Sequence, residues 1–231
     1  MFVGVLLSGS GVYDGSEIHE AAFTLLAIDQ NGGQALCMAP NIEQHHVINH
    51  IDGGEMDEKR NVLVESARIA RGNIQSIEKV KMDLLDGLVI CGGFGAAKNL
   101  TSWNEDAKEA NIDPDVKRLV IDFVASDKPV LALCMGPTVI ATALRGIGLN
   151  VKLTVGSTEE DSPYDIEEIS EGLESVGMTA EMKSVREISI DDENRVISAP
   201  CYMMDATPGE VYDNIKMGVD KMFEWIEENN S

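Results

Sequence analysis

Pro129-Val-Leu-Ala-Leu-Cys134-Met-Gly-Pro-Thr138 is the stretch of this 231-residue chain on which the fold turns. A short, continuous apolar run, the pattern of a strand buried in a parallel sheet, ends at a cysteine, and a helical pattern begins directly after it. Such an elbow lifts the Cys134 side chain above the carboxyl end of the sheet, where open α/β folds place their ligands. The adjoining helix N-terminus favours thiolate over thiol through its dipole and free N–H groups, so the sequence predicts a Cys134 pKa below that of a free thiol. Gly136 leaves room for a ligand or another chain to come close. The opposing reading is a small buried hydrophobe, because free cysteine is among the most buried residue types.

Outward from the elbow the same alternation recurs. Phe2–Leu7 reads as a strand, Ser16 to Gln30 as a helix stopped by Asn31-Gly32-Gly33, and Gln34–Ala39 as a second strand. Asp86–Cys91 is another strand, and Asp113–Ser126 a helix with Asp113 as N-cap and Pro114 at its first position. Beyond the elbow helix come a strand at Val151–Val155, a helix across Asp165–Val176, and a hairpin around Asp191–Asn194. A last helix opens on the capping sequence Thr207-Pro-Gly-Glu210. The prediction is one doubly wound α/β domain over residues 1–231, a mostly parallel sheet with helices on both faces, and residues 41–60 as an inserted polar excursion.

Charge removes whole classes of partner. With 18 basic and 40 acidic residues, a net charge of −22, the chain repels phosphate backbones and anionic bilayers, so neither nucleic acid nor membrane is expected as a partner. No run reaches the ~18 apolar residues of a membrane span. Met1–Leu7 lacks the basic start of a signal peptide and reads as a buried strand. The cysteines, Cys37, Cys91, Cys134 and Cys201, form no C-x-x-C pair, which predicts reduced thiols in a cytoplasmic protein with neither zinc nor disulfide.

Two further segments are brought to the sheet edge that carries Cys134. Cys91-Gly92-Gly93-Phe94-Gly95 ends a strand in glycines, whose N–H groups, with that of Met135, can form an oxyanion hole. Asp14-Gly-Ser-Glu17-Ile-His19-Glu20 opens the first helix and offers two carboxylates three residues apart with His19 between them. Dipole compensation accounts for such acids without chemistry; a carboxyl aimed into the crevice would instead hold a proton for the thiol. Gly9-Ser-Gly11 lacks the third glycine of a dinucleotide loop, since Asp14 stands there.

Gly-Val-Tyr-Asp-Gly-Ser-Glu-Ile-His-Glu (11–20), Asn-Val-Leu-Val-Glu-Ser-Ala-Arg-Ile-Ala-Arg-Gly (61–72), Gly-Gly-Phe-Gly-Ala-Ala-Lys-Asn-Leu (92–100) and the Cys134 elbow resemble the ElbB family, isoprenoid-biosynthesis proteins with an amidotransferase-like domain in the PfpI superfamily. The resemblance implies a single-domain flavodoxin-like fold and a homodimer. It pairs Cys134 with Glu20, makes Gly93 and Met135 the oxyanion donors, and leaves Glu17, Gly92 and His19 as accessory candidates. It also implies a weak, cofactor-free glyoxalase activity on small aldehydes, methylglyoxal or glyoxal, giving hydroxy acids. The alternative is a non-catalytic redox-sensing or binding protein that keeps the reactive cysteine.

The departures narrow this further. The position after the cysteine is Met135 and no histidine follows the elbow helix, because His19, His45, His46 and His50 all lie in the first 50 residues. An active glutamine amidotransferase or a peptidase of this superfamily is therefore not expected. His46 and His50 would share a metal only on a helix; a polar loop at the site rim or a subunit interface is the reading adopted, with no metal. Cys37, Cys91 and Cys201 read as packing residues.

Overall fold

The computed structural model describes residues 1–229. Among the described residues are nine strands and six α-helices, the central strands falling where short apolar runs require full burial. These are β1 Phe2–Leu6, α1 Ile18–Gln30, β2 Gln34–Ala39, α2 Val62–Ile69, β3 Ile74–Ser76 and β4 Gly87–Ile90. A π-helical turn, Ala96–Leu100, precedes α3 Pro114–Ala125, β5 Val130–Leu133 and α4 Gly136–Leu144. The remainder is β6 Lys152–Gly156, α5 Ile166–Ser175, β7 Thr179–Met182, β8 Ser189–Asp191, β9 Val196–Ala199 and α6 Pro208–Asn229.

The seven-stranded sheet runs β3-β2-β1-β4-β5-β9-β8, parallel throughout except that β8 returns antiparallel on β9. Helix α1 packs along α6 and α3 along α4, which buries the strands between helical layers. The architecture is the expected flavodoxin-like α/β sandwich. Chain order reverses between β1 and β4, and such a switch point opens a crevice beyond the carboxyl ends of the strands. Register brings four of those ends together: Leu6 pairs with Ile90, Ile90 with Ala132, and Leu133 with Ala199.

Strand β6 does not join this sheet, although its sequence resembles the strands that do. The Asp191–Asn194 turn folds β8 back onto β9 and occupies that edge, so β6 pairs with β7 in a separate two-stranded sheet. Ser198 Oγ, on β9, accepts from Thr154 N at 2.9 Å and ties the small sheet to the large one. The segment from β6 to α5, residues 157–165, is thereby held beside the switch point.

The 41–60 excursion is a polar loop with two antiparallel bridges, Glu43–Asn61 and Ile48–Glu55, and no helix. It docks on the crevice rim: Asp14 Oδ2 accepts from Ile48 N at 2.8 Å, and Asn99 Oδ1 from His45 N at 2.8 Å. His45 and His46 pack edge-on, ring centroids 4.9 Å apart. His50 Nε2 accepts from Tyr13 N at 3.2 Å, and His46 Nε2 lies 3.1 Å from Lys98 Nζ. Among the described residues no group of three or more His, Cys, Asp and Glu is placed to hold a metal ion.

Candidate active site

Cys134 sits on the elbow in the left-handed region, φ 54°, a backbone strain that a non-glycine residue keeps only when its surroundings enforce it. The enforcement is visible. Cys134 N donates to Ala199 O at 2.9 Å, which prolongs the β5–β9 ladder by one bond, while Met135 starts the turn into α4. The side chain is 4% exposed, and the N–H groups of Gly93 and Met135 both point at its sulfur.

Glu20 reaches the same point from α1. Its neighbours on the helix stripe, Ala21, Thr24, Ala27 and Ile28, are all buried, so a carboxyl at position 20 is turned inward with them. One oxygen, Oε1, accepts from Tyr202 N at 3.4 Å; the other, Oε2, is buried without a hydrogen-bond partner of ordinary geometry. Gly92 shows where that oxygen lies. A Cβ on Gly92 would stand 2.3 Å from Glu20 Oε2 and 2.4 Å from Cys134 Cβ, so carboxyl and thiol meet over a residue that has no side chain. Gly93, at φ 93°, is equally constrained, because its Cβ would meet Glu17 N and Gly15 O at 2.4 Å each.

Glu17 has a different place. It is the N-cap of α1, its carboxylate accepting from Glu20 N at 2.7 Å while its own N–H donates to Gly92 O at 3.0 Å. It anchors α1 to the glycine loop and sets a negative charge beside Glu20. Burial first, and that charge second, raise the Glu20 pKa from 4.5 to about 8. The carboxyl is therefore neutral at pH 7 and has a proton to share with sulfur.

The thiol corrects the expectation drawn from the sequence. Burial pushes Cys134 well above the ordinary thiol range, ionised Glu20 adds to this, and the opposing N–H groups of Gly93 and Met135 do not prevail. The helix N-terminus acts on a sulfur shut off from water, and desolvation is the larger effect. At rest the site is a thiol beside a carboxylic acid, with Glu20 the first of the two to ionise.

His19 does not enter this pair. Its Nδ1 lies 2.8 Å from the Tyr202 hydroxyl at the surface, and its ring stacks on Phe23. Two residues that the sequence pattern does not single out as site residues stand there instead. Tyr164, from the segment before α5, sets its ring edge-on to Phe94 with centroids 5.4 Å apart, and its phenol lies within electrostatic reach of Cys134, Tyr13, Glu20 and Glu17. Cys201 is fully buried at φ 50°, its thiol beside the Cys134 backbone N–H. Nothing in the local pattern around Tyr164 signals a site, whereas Cys201 follows a strand end as Cys134 does.

Comparison with known proteins places the chain. No family model matches it. A human protein, glutamine amidotransferase-like class 1 domain-containing protein 3, mitochondrial, is 37% identical over 224 residues, covering 96% of this chain and 82% of its own. The rat ES1 protein homolog, mitochondrial, is 36% identical over 224 residues, covering 96% and 83%. Both relatives are named as mitochondrial, which overturns the cytoplasmic location expected from the sequence. The crystal structure of an isoprenoid biosynthesis protein with amidotransferase-like domain from Ehrlichia chaffeensis superposes with a TM-score of 0.88 at 33% identity, covering 97% of this chain and 99% of that one. Chains of the DJ-1/ThiJ/PfpI type share the fold at lower identity. The chain thus belongs to the ElbB family of isoprenoid-biosynthesis proteins with an amidotransferase-like domain.

Proposed function

We propose that the protein converts small 2-oxoaldehydes to 2-hydroxy acids at Cys134. The observation that carries this reading is the meeting of the Cys134 thiol and the Glu20 carboxyl over Gly92, with the N–H groups of Gly93 and Met135 on the sulfur. Sulfur adds to the aldehyde carbon, and the carbonyl oxygen, facing those N–H groups, takes up the thiol proton by way of Glu20. The product of this step is a hemithioacetal. Glu20 as carboxylate then removes the proton from the former aldehyde carbon, made acidic by the neighbouring carbonyl, and returns it to the second carbon, while the hemithioacetal hydroxyl proton passes to the second oxygen. A thioester of the hydroxy acid results, and water hydrolyses it to release the acid and restore the thiol. The sum is aldehyde plus water to hydroxy acid, with no redox partner needed.

Purified protein is expected to form lactate from methylglyoxal, and Cys134→Ser is expected to abolish it. Unchanged rates in Cys134→Ser would sink the mechanism. Because proton removal needs the Glu20 carboxylate, kcat/KM should rise about tenfold per pH unit and level off near pH 8. A flat profile between pH 6 and 8 would remove Glu20 from the base role. Redox sensing is less well supported, because it draws on an accessible, ionised thiol and Cys134 is buried and protonated.

A further inference from the structure

The chain has four tyrosines, and two of them, Tyr202 and Tyr212, give their hydroxyls partners in His19 and Gln30. The other two, Tyr13 and Tyr164, have hydroxyls with no hydrogen-bond partner among the described residues; Tyr13 packs its ring on His50, and Tyr164 is the one within electrostatic reach of Cys134. Tyr164 is no loose surface ring. Its N–H donates to Ser162 Oγ at 3.0 Å, and that hydroxyl lies 3.1 Å from Tyr164 O and 2.6 Å from Met203 O, which ties the 157–165 segment to the turn after β9. Its ring closes edge-on over Phe94, the residue next to the oxyanion glycine. Phe94, the ring that Tyr164 meets, and Met135, the residue after Cys134, both wall a surface cavity of about 270 Å³ with Trp103 and Ile169.

We propose that Tyr164 is both the gate over Cys134 and a substrate-positioning residue, its unpaired hydroxyl donating to the second carbonyl oxygen of a vicinal dicarbonyl. This deepens the 2-oxoaldehyde reading and rests on it. Such a substrate has two oxygens on adjacent carbons. The N–H groups of Gly93 and Met135 hold the one that becomes the hemithioacetal oxygen, and a donor is needed on the far side for the other. The Tyr164 phenol stays protonated at any physiological pH, its pKa pushed up to about 12 by burial and then by the nearby Cys134 charge, so it acts as donor and never as base. A simple aldehyde has no second oxygen for that hydroxyl and gains nothing from it.

The test uses the intact protein and requires no turnover. The rate of Cys134 alkylation by iodoacetamide and the glyoxal concentration that half-protects Cys134 from it are measured in the unaltered chain, Tyr164→Phe and Tyr164→Ala. Tyr164→Phe should alkylate at the unaltered rate but need about tenfold more glyoxal for protection, the scale of one lost hydrogen bond, while protection by propionaldehyde stays unchanged. Tyr164→Ala should alkylate at least ~10-fold faster, because the gate is gone. Equal alkylation rates in all three chains would overturn the gate, and equal half-protecting glyoxal concentrations in Tyr164→Phe would overturn the positioning role. Failure of the glyoxalase reading has a separate signature, no lactate from the unaltered protein while both Tyr164 effects persist.

Discussion

Glu20→Gln is expected to abolish turnover and at the same time stabilise the fold by on the order of 3 kcal/mol at pH 7. The carboxyl titrates near 4.5 in the unfolded chain and near 8 in the folded one. Below pH 4.5 both states hold the proton and its burial as a neutral acid carries no ionisation penalty. Between 4.5 and 8 the unfolded chain releases the proton and the folded chain keeps it, so stability falls with rising pH by about 1.4 kcal/mol per unit. At pH 7 most of that loss has occurred. Glutamine has the shape of the protonated acid, can still accept from Tyr202 N, and never ionises, so it escapes the loss. For a chain of this size the midpoint should rise by roughly 6–12 °C at pH 7, and the gain should vanish towards pH 4.5. Thermal unfolding of both proteins at pH 5 and pH 7, alongside lactate formation, decides it. A midpoint for Glu20→Gln that is unchanged or lower at pH 7 would mean that the folded protein does not hold the Glu20 proton.

That opposition between burial and charge shows why parts of the site can be read from sequence and others cannot. Cys134 is legible because an apolar strand that breaks directly into a helix start forces an elbow, and the residue at the elbow faces the crevice. Glu20 is legible only through the family resemblance, since dipole compensation accounts for it as well as for Glu17; the structure then shows it continuing the inward stripe of Ala21, Thr24, Ala27 and Ile28. Glycines 92 and 93 announce a backbone that must pass close to something, and the structure supplies Glu20 Oε2, Cys134 and the α1 cap. The thiol pKa is not legible, because it depends on how completely tertiary packing buries the sulfur, and the place of the neighbouring 157–165 segment is no more legible. That segment has no hydrophobic period. Its place is set by β6 leaving the main sheet, which follows from the β8–β9 hairpin some 40 residues further along. Strands β3 and β7, Ile74–Ser76 and Thr179–Met182, escape notice for a simpler reason, being short and mixed in polarity.

Gly92→Ala should damage the fold and the proposed chemistry together. The added methyl would lie 2.3 Å from Glu20 Oε2, 2.4 Å from Cys134 Cβ and 2.7 Å from Leu133 O, all closer than a Cβ tolerates. Neither neighbour can retreat cheaply. Cys134 is fixed by its ladder bond to Ala199 and by α4 starting one residue beyond Met135, and Glu20 by a helix whose cap, Glu17, is bonded to Gly92 itself. Relief therefore comes by driving carboxyl and thiol apart. Stability should fall by about 3 kcal/mol, as for other overpacked cores, and turnover by ~100-fold or more, the usual worth of a positioned base. The double variant Glu20→Ala with Gly92→Ala separates crowding at the site from general damage. With the carboxyl gone, one of the three clashes disappears, so the pair should destabilise by at least ~1 kcal/mol less than the two single changes added together. Strict additivity in chemical denaturation would show that the Glu20 carboxyl does not lie against Gly92, and with it the contact between carboxyl and thiol on which the proposed chemistry depends would be lost.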